Sequence, residues 1–453
     1  MGHGENSLLN VSHWNIQGFT QNKFKDLVEA CSPQVISLVE TWSGENIIVK
    51  HYSCFSANRK MSRNGRYYGG VSLFVSDVFL SSNDVIRLKS ESCNLVWVRI
   101  SRGKRSHVFC SVYIPPESSS FSDEDTWEIF QKELHIFLTK FPADGFILLG
   151  DFNAYTGELQ EPWSCQFEDH NHSESRCDGM GDEEMDEIPP RTSKDHRRKN
   201  RWGSKLLEIC GKENLIIVNG RIGEDKERGE FTCFFGKYPS VVDYIVVNKS
   251  LWPDCACLGV VPVLGSDHLP IRLSLNVLKK RALKRSLGGF RSKVLEEGLE
   301  VRDPLRLESQ EEEKVKVKLL GDEFQAGLEK GEILAKDGKI EESLKVLIDS
   351  LYEVGVTTAQ KQPRKLNGFF DGECVEKKSE LVQTLELLRQ CSYEEREYLY
   401  NMYKSRRKEY KKLLKVKKYK FQEEEAERMK REFRNSNKNE FWKIIKKISY
   451  KRF

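Results

Sequence analysis

Between residues 8 and 275 short apolar runs alternate with turn residues. Nine of these runs, "LLNVSHW", "VISLVE", "GGVSLFV", "NLVWVRI", "HVFCSVYI", "GFILLG", "LIIVNG", "VVDYIVV" and "PIRLSLNV", have strand length and β-branched content. A helical spacing interrupts them from Asp123 to Lys140, where Trp127, Phe130, Leu134, Phe137 and Leu138 recur every three or four residues. Many runs follow one another with no helix between them, and their interiors lack proline. That order favours two packed sheets with outer helices over one doubly wound sheet, whose parallel crossovers would each need a helix. The expected class is therefore α/β, with two central β-sheets.

After about Asn276 the pattern changes. A basic stretch, "LKKRALKRSLGGFRSK", leads into long helical periods marked by Leu344, Leu347 and Leu351, and then by Leu381, Leu385 and Leu388. From Glu394 to Lys430, Leu399, Met402, Tyr403, Tyr410, Leu413 and Leu414 are set among dense lysine and arginine. The organisation this implies is an α/β domain over 1–276, a basic linker over 277–306, and a charged helical connector with coiled-coil character over 307–453.

Charge sharpens the division. The whole chain carries +4, but residues 277–453 hold 43 Lys+Arg against 32 Asp+Glu, whereas residues 1–276 hold 30 against 37. Most of the acidity of the first part lies in one insertion, Glu158–Glu187, with 11 acids and a single arginine. Residues 401–453 hold 20 basic residues against 7 acids, which reads either as a solvated helical face or as a surface for phosphates. DNA is the expected partner of such a surface, with RNA as a second candidate.

No apolar stretch approaches the ~18 residues of a membrane span, and the first thirty residues lack the apolar core of a signal peptide. Asn6 stands where a myristoylation signal after Met1-Gly2 wants Ser or Thr. An intracellular, soluble protein, nuclear or cytoplasmic, is expected. The 12 cysteines are scattered, and Cys255 with Cys257 lacks C-x-x-C spacing, so reduced thiols are expected. Cys165, His170, His172 and Cys177 in the insertion match no common zinc spacing, and a flexible acidic loop is the reading there. The patch at 278–293 has the composition of a nuclear localisation signal or of an ordinary basic junction.

Five stretches end apolar strands in polar residues: "HWNIQG" with Asn15, "SLVETW" with Glu40, "VYIPP" with Tyr113, "LLGDFN" with Asp151 and Asn153, and "LGSDHLP" with Asp267 and His268. Any one acid at a strand end is commonly a cap or a turn former, so the joint set carries the signal. It contains no G-x-S-x-G nucleophile elbow and no G-x-x-x-x-G-K phosphate loop. Carboxylates, amides, one tyrosine and one histidine suit a hard cation and a phosphate ester. Mg²⁺ takes oxygen ligands, for which Glu40 with Asp267 or Asn15 suffices. Asp151 can then orient and deprotonate water, while Asn153, Tyr113 and His268 supply donors to the phosphoryl group.

The ordered set Trp-Asn, Glu-Thr, Tyr-x-Pro-Pro, Gly-Asp-Phe-Asn, Asp-Tyr-Ile and Ser-Asp-His resembles the endonuclease/exonuclease/phosphatase superfamily over residues 8–275. The resemblance implies a four-layer α/β sandwich and a Mg²⁺-dependent phosphodiesterase site, with Mn²⁺ able to substitute. It implies Glu40 as metal ligand with Asn15 beside it, Asp151 at the water, Asn153 and Tyr113 at the phosphate, and Asp243 orienting His268 beside Asp267. The run from "RTSKDHRRKNRWGSKLLEIC" to "SVVDYIVV" is similar to the endonuclease region of non-LTR retrotransposon polyproteins. There Thr232, in "FTCF", and Ser240 match positions that imply substrate binding. Gln17 occupies a place where repair relatives carry an acid. "FFDGEC" and "FWKIIKKIS" resemble the connector that precedes reverse transcriptase, although no Asp-Asp pair for a polymerase motif occurs, so an endonuclease with a connector and no polymerase is expected. The rival readings are an abasic-site nuclease or phosphatase on the same fold, and a catalytically decayed nucleic-acid-binding remnant.

Overall fold

The computed structural model describes residues 8–162, 188–276 and 368–434, except residues 60, 62–64, 66, 82, 103–104, 118 and 120–123, together with short helical pieces between 325 and 346. The basic linker, the zinc candidates Cys165, His170, His172 and Cys177, and the period of Leu344, Leu347 and Leu351 lie outside the described residues.

Two six-stranded mixed sheets form the centre of the α/β domain. The first contains β1 (Leu9–Asn15), β2 (Val35–Val39), β3 (Tyr52–Ala57), β4 (Val71–Ser76), β11 (Cys255–Val260) and β12 (Ile271–Leu275), in the order β11-β12-β1-β2-β4-β3. The second contains β5 (Asp84–Leu88), β6 (Leu95–Arg102), β7 (Arg105–Tyr113), β8 (Gly145–Asp151), β9 (Leu215–Ile217) and β10 (Asp243–Asn248), in the order β5-β6-β7-β8-β10-β9. The expected two-sheet sandwich is the observed fold. All nine strands read from the apolar runs form. The three that were not anticipated, β3, β5 and β11, are all edge strands, where half-buried or exposed side chains dilute the apolar pattern.

Each sheet has one parallel pair at its middle, β1–β2 in the first and β7–β8 in the second. A parallel pair needs a crossover, and each has a helix, α1 (Gln21–Cys31) and α3 (Glu124–Lys140). Phe24, Leu27 and Cys31 of α1 are buried in one cluster with Trp14, Ile16, Ile36, Leu38 and Phe74, so one face of the first sheet is covered. Thr20 starts this helix by accepting from the Lys23 N–H, and Ser32 ends it in the left-handed region at φ 43°. On α3, Trp127, Phe130, Leu134 and Phe137 are buried as their spacing predicts, with Phe137 edge-on to Trp97 of β6 at 5.1 Å. Trp202 of α4 (Arg201–Lys212) packs on Trp127 at 5.9 Å. A short helix, α2 (Asp77–Leu80), follows β4.

Among the described residues of the C-terminal region, two long helices are present, α5 (Gly372–Gln390) and α6 (Arg396–Arg434). By contact, Leu381–Ser405 belongs to one unit with Leu8–Lys280. Within that unit Tyr400 and Tyr403 lie against Phe234, at 6.5 and 5.4 Å between ring centroids, and the Arg396 guanidinium sits 5.1 Å from the Phe231 ring centre. In the other unit Lys417 pairs with Asp371 and Glu373, and Phe369 meets Phe421. Among the described residues no helix is long and apolar enough to cross a membrane.

The first residues of the acidic insertion are anchored. Glu161 is buried, accepts from the Ile217 N–H at 2.6 Å, and forms an ion pair with Arg221, which is equally buried. Removing one member of a buried pair strands the other charge, at a cost of about 3–5 kcal/mol, whereas apolar replacement of both can be neutral. Glu161→Gln should therefore lower unfolding free energy by about that amount, and Glu161→Met with Arg221→Met should recover most of it. Urea denaturation checks this, and equal losses in the single and double variants would contradict it.

Candidate active site

Register brings the candidate residues together. In the second sheet Tyr113 is paired with Asp151 across β7–β8, and Asp151 with Asp243 across β8–β10, so three adjacent strands place these side chains in one row. In the first sheet β1 ends at Asn15, β2 ends one residue before Glu40, and the loop before β12 carries Asp267 and His268. Both parallel pairs thus present their carboxyl ends at the same edge of the sandwich, the place where α/β sheets open a crevice.

The turns at that edge are unusual. Gln17, Glu40, Trp42 and Asn153 all have positive φ, between 45° and 52°, a region that side chains other than glycine seldom occupy and that clusters at functional sites. Gly18, at φ 88°, lies beneath Trp42, and a Cβ there would come within 2.7 Å of the indole. Backbone bonds from Gly18 N to Glu40 O (2.7 Å) and from Phe19 N to Thr41 O (2.8 Å) hold the two turns together.

Hydrogen bonds join the side chains into one network. Asn15 Nδ2 donates to Glu40 Oε1 at 3.0 Å and to Asp151 Oδ2 at 2.9 Å, and Tyr113 OH donates to Glu40 Oε1 at 3.0 Å. The Asn153 N–H donates to Asp151 Oδ1 at 3.0 Å, while its side-chain amide donates to the Ile114 carbonyl at 2.8 Å. His268 Nδ1 lies 2.8 Å from Asp243 Oδ2, and its Nε2 lies 3.4 Å from the Cys233 sulfur. Ser266 Oγ donates to the Asn15 carbonyl at 2.6 Å, and the Asp267 N–H donates to Gln17 Oε1 at 2.9 Å.

The two buried aspartates are tuned in opposite directions. Burial, reinforced by the charge of Asp243, pushes Asp151 up to about 7. Burial would do the same to Asp243, but the positive field of His268 and hydrogen bonds from His13 and His268 outweigh it and hold this carboxyl well below the usual range. His268 is held well above the ordinary histidine value, because Asp243 outweighs the desolvation of the ring. Burial, with the charges of Glu40 and Asp151, raises Tyr113, which therefore keeps its proton.

Among the described residues no lysine or arginine hydrogen-bonds to Glu40 or Asp151, whose partners are the neutral donors Asn15, Tyr113 and the Asn153 N–H. Two acids sharing one amide donor, with the His268 imidazolium committed to Asp243, form a donor set that suits a hard, oxygen-seeking cation. Asp151, Asp243 and His268 also place ligand atoms within 4.8 Å of one another. An ion among those three would compete with His268 for Asp243, so the Glu40 side is the better seat. As placed, Asn15 turns its amide nitrogen toward both acids, and ligation through its oxygen requires the amide to turn over.

Thr232 and Ser240 stand apart from the other candidates. Both are buried, and the Thr232 hydroxyl accepts from the N–H groups of Val242 (3.2 Å) and Asp243 (3.1 Å). Ser240 bonds through its backbone to Thr232 and Cys233. In this position the Thr232 hydroxyl fixes the backbone at Asp243, a role beside the contact with substrate that the motif leads one to expect. Conversely, His13, Ser37 and Cys233 belong to the site without a sequence signal. His13 lies within "HWNIQG", yet a polar residue in a central strand carries no signal until its partner in the other sheet is known.

A model of the Endonuclease/Exonuclease/phosphatase family matches residues 12–268. Solved structures similar to this chain include the endonuclease domain of TRAS1, a telomere-specific non-LTR retrotransposon, at 17% identity and TM-score 0.39, covering 59% of this chain and 98% of that one. They also include the AP endonuclease LMAP from Leishmania major, at 14% identity and TM-score 0.43, covering 59% and 87%. A third is the 3′-5′ exonuclease NExo from Neisseria meningitidis, at 15% identity and TM-score 0.39, covering 59% and 99%. No curated protein matches the chain by sequence.

The electrostatics set the pH dependence of the metal-free protein. Asp151 and His268 have folded values above their unfolded ones, so their stabilising contributions are present at low pH and lost as pH rises, through about 7 for Asp151 and higher for His268. Asp225, raised to about 7 by burial, acts the same way. The depressed values of His13 and His107 oppose this only below 6.5, and that of Asp243 only below 3.8. In excess chelator, the urea midpoint should fall between about pH 6.5 and 8.5, and Asp151→Asn should flatten that fall. A midpoint that rises over this window would contradict the assignment.

Proposed function

The chain belongs to the Endonuclease/Exonuclease/phosphatase family, and from that premise we propose that it is a Mg²⁺-dependent phosphodiesterase, of non-LTR retrotransposon origin, that nicks one strand of DNA and leaves a 3′-hydroxyl. The observation that carries the reading is the convergence of Asn15, Glu40, Tyr113, Asp151, Asp243 and His268 from six separate places in the sequence into one hydrogen-bonded edge. Glu40 would hold the Mg²⁺, with Asp267 or the Asn15 amide oxygen beside it. When bound, the ion acts as a Lewis acid on the phosphoryl oxygen.

Asp151 takes the role of general base. A carboxylate tuned to about 7 can accept a proton from an attacking water near neutral pH, and the Asn153 N–H on Oδ1 and the Asn15 amide on Oδ2 fix the plane in which it does so. His268, kept protonated on Nδ1 by Asp243, offers Nε2–H to the charge that grows on the phosphoryl oxygens. Asn153 and Tyr113 add neutral donors on the phosphate side. Thr232 and Ser240 act indirectly, by setting where Asp243 enters β10.

Gln17 supports the retrotransposon branch over repair. Its amide oxygen is engaged by the Asp267 N–H, so a neutral side chain ties the two loops where an acid could have added a cation site. Intact duplex read through groove shape and flexible steps is then the substrate, and an abasic site is not required. The basic residues of 401–453 add contacts to nucleic acid, DNA first and RNA second, within the nucleus or the cytoplasm.

Supercoiled plasmid should be nicked with Mg²⁺ or Mn²⁺ and spared in excess chelator or with zinc alone. Asp151→Asn and His268→Ala should each slow nicking by about 10²-fold or more. Near-normal rates in folded variants would remove both residues from the mechanism. Abasic duplex should be cut only modestly better than intact duplex, and soluble inositol phosphates poorly. A preference of about 10⁴ for abasic DNA, worth ~5.5 kcal/mol, would move the protein to repair. Nicking absent under every metal would leave a binding remnant.

The tail is tested separately. Each phosphate contact contributes about −0.9 to the slope of log affinity against log salt, so neutralising tail lysines in the full chain should flatten that slope. An unchanged slope would make the basic face a solvated one.

A further inference from the structure

We infer that His13 is a positioning residue for His268, holding it through the shared carboxylate of Asp243. The inference rests on the nuclease reading for its catalytic consequence, but the bond itself is independent of it. His13 sits in the middle of β1 with no exposed surface, and both ring nitrogens are engaged. Its Nε2 lies 3.3 Å from Asp243 Oδ1, and its Nδ1 lies 2.9 Å from Ser37 Oγ, its registered neighbour on β2. Ser37 Oγ in turn lies 2.6 Å from Ser111 Oγ on β7. A polar chain therefore runs from the site edge into the space between the sheets, through His268, Asp243, His13, Ser37 and Ser111.

The chemistry of the groups fixes the direction of these bonds. Asp243 is fully buried, and its two oxygens face two imidazoles, Oδ2 toward His268 and Oδ1 toward His13. An ionised carboxylate only accepts, so His268 donates from Nδ1 and His13 from Nε2. A neutral His13 then has an acceptor at Nδ1, to which the Ser37 hydroxyl gives its proton at 2.9 Å rather than to the more distant Leu149 carbonyl at 3.3 Å, and Ser111 donates to Ser37 Oγ. One tautomer of each ring satisfies the whole chain.

Two donors on opposite oxygens do what one cannot. Held only by His268, the Asp243 carboxylate can swing about its Cβ–Cγ bond, and the Nδ1–H that fixes the imidazole loses its aim. With His13 on Oδ1 the plane is pinned, and with it the direction of the His268 ring, whose Nε2 lies 3.4 Å from the Cys233 sulfur. The geometry also explains why a histidine is used. β1 and β10 belong to different sheets, whose faces pack about 10 Å apart, and an imidazole can carry a donor across that gap while offering an acceptor back to its own sheet. The alternative is a core histidine that merely satisfies itself.

The full chain, labelled with ¹⁵N-histidine, separates the two. Wild type, without metal, should show slowly exchanging imidazole N–H protons for both His13 and His268. His13→Leu should abolish the first, and should shift and speed the solvent exchange of the second. In Mg²⁺ it should lower kcat for plasmid nicking about tenfold or more, the scale of residues that orient a reacting group, with little change in KM. His13→Gln, whose amide can donate to Oδ1, should restore most of both. Ser37→Ala, which removes the proton supply to Nδ1, should give an intermediate His268 signal, and it decides the matter if His13→Leu does not fold. An unchanged His268 resonance in folded His13→Leu, or Gln no better than Leu, overturns the inference. Wild type that never nicks, but whose His268 resonance still depends on His13, sinks the nuclease reading and leaves the positioning bond intact.

Discussion

A carboxylate with no exposed surface cannot keep its charge unless protein groups replace the water it has lost. Asp243 is that carboxylate here, and the parts of the domain that supply its solvation come from far apart: His13 from the first strand, His268 from the loop before the last, and the Thr232 hydroxyl, which fixes its backbone. Satisfying it requires the two sheets to face each other in one register. A slip of one residue in β1 would turn His13 out of the space between the sheets and bring Trp14 in. The same carboxylate then gives His268 its charge and, by repulsion, helps keep Asp151 near neutrality in its tuning. Two aspartates side by side on neighbouring strands thus end with opposite proton affinities, the arrangement that separates an orienting acid from a proposed base.

What the sequence made legible follows from how each signal arises. Strands buried on both faces announce themselves as unbroken apolar runs, so β2, β4 and β8 were plain in "VISLV", "VSLFVS" and "GFILLGD". Edge strands such as β5, with Asp84, Ile86 and Arg87 exposed, have no such run, and their pairing depends on a neighbour distant in sequence. The polar residues at strand ends were readable because Asn15, Glu40, Asp151 and His268 interrupt apolar stretches abruptly. Their neighbours inside the sandwich were not. A serine or histidine within a strand looks like a solvent-facing residue until the other sheet is placed over it, and His13, Ser37 and Ser111 have meaning only as a set. Thr232 shows the converse case, since motif position indicates a part in the site and only the fold shows that its hydroxyl also holds the backbone of Asp243.

The C-terminal helices add a further tie. Arg389 and Lys194 both approach Glu230, and Arg396 donates to the Lys194 carbonyl, beside the segment that runs through Thr232 and Cys233 to Phe234. Tyr400 and Tyr403 cover that Phe234 from the same unit. The segment flanking His268 is therefore packed on one side by residues more than a hundred positions downstream of the last strand.

The pairing of β1 with β12 has a consequence for synthesis on the ribosome. Leu9 is registered against Leu275, so the first strand made must wait for nearly the last before its hydrogen bonds on that side are filled. At roughly 5–20 residues per second the wait lasts on the order of tens of seconds, during which a buried, apolar strand lacks one of its neighbours. Until His268 emerges, the edge carrying Glu40 and Asp151 has no imidazolium to balance it. The nascent domain thus lacks a complete copy of the site until the whole domain has cleared the ribosome. Such an order of assembly exposes the unfinished chain to aggregation and chaperones for longer than a fold closed by local contacts would.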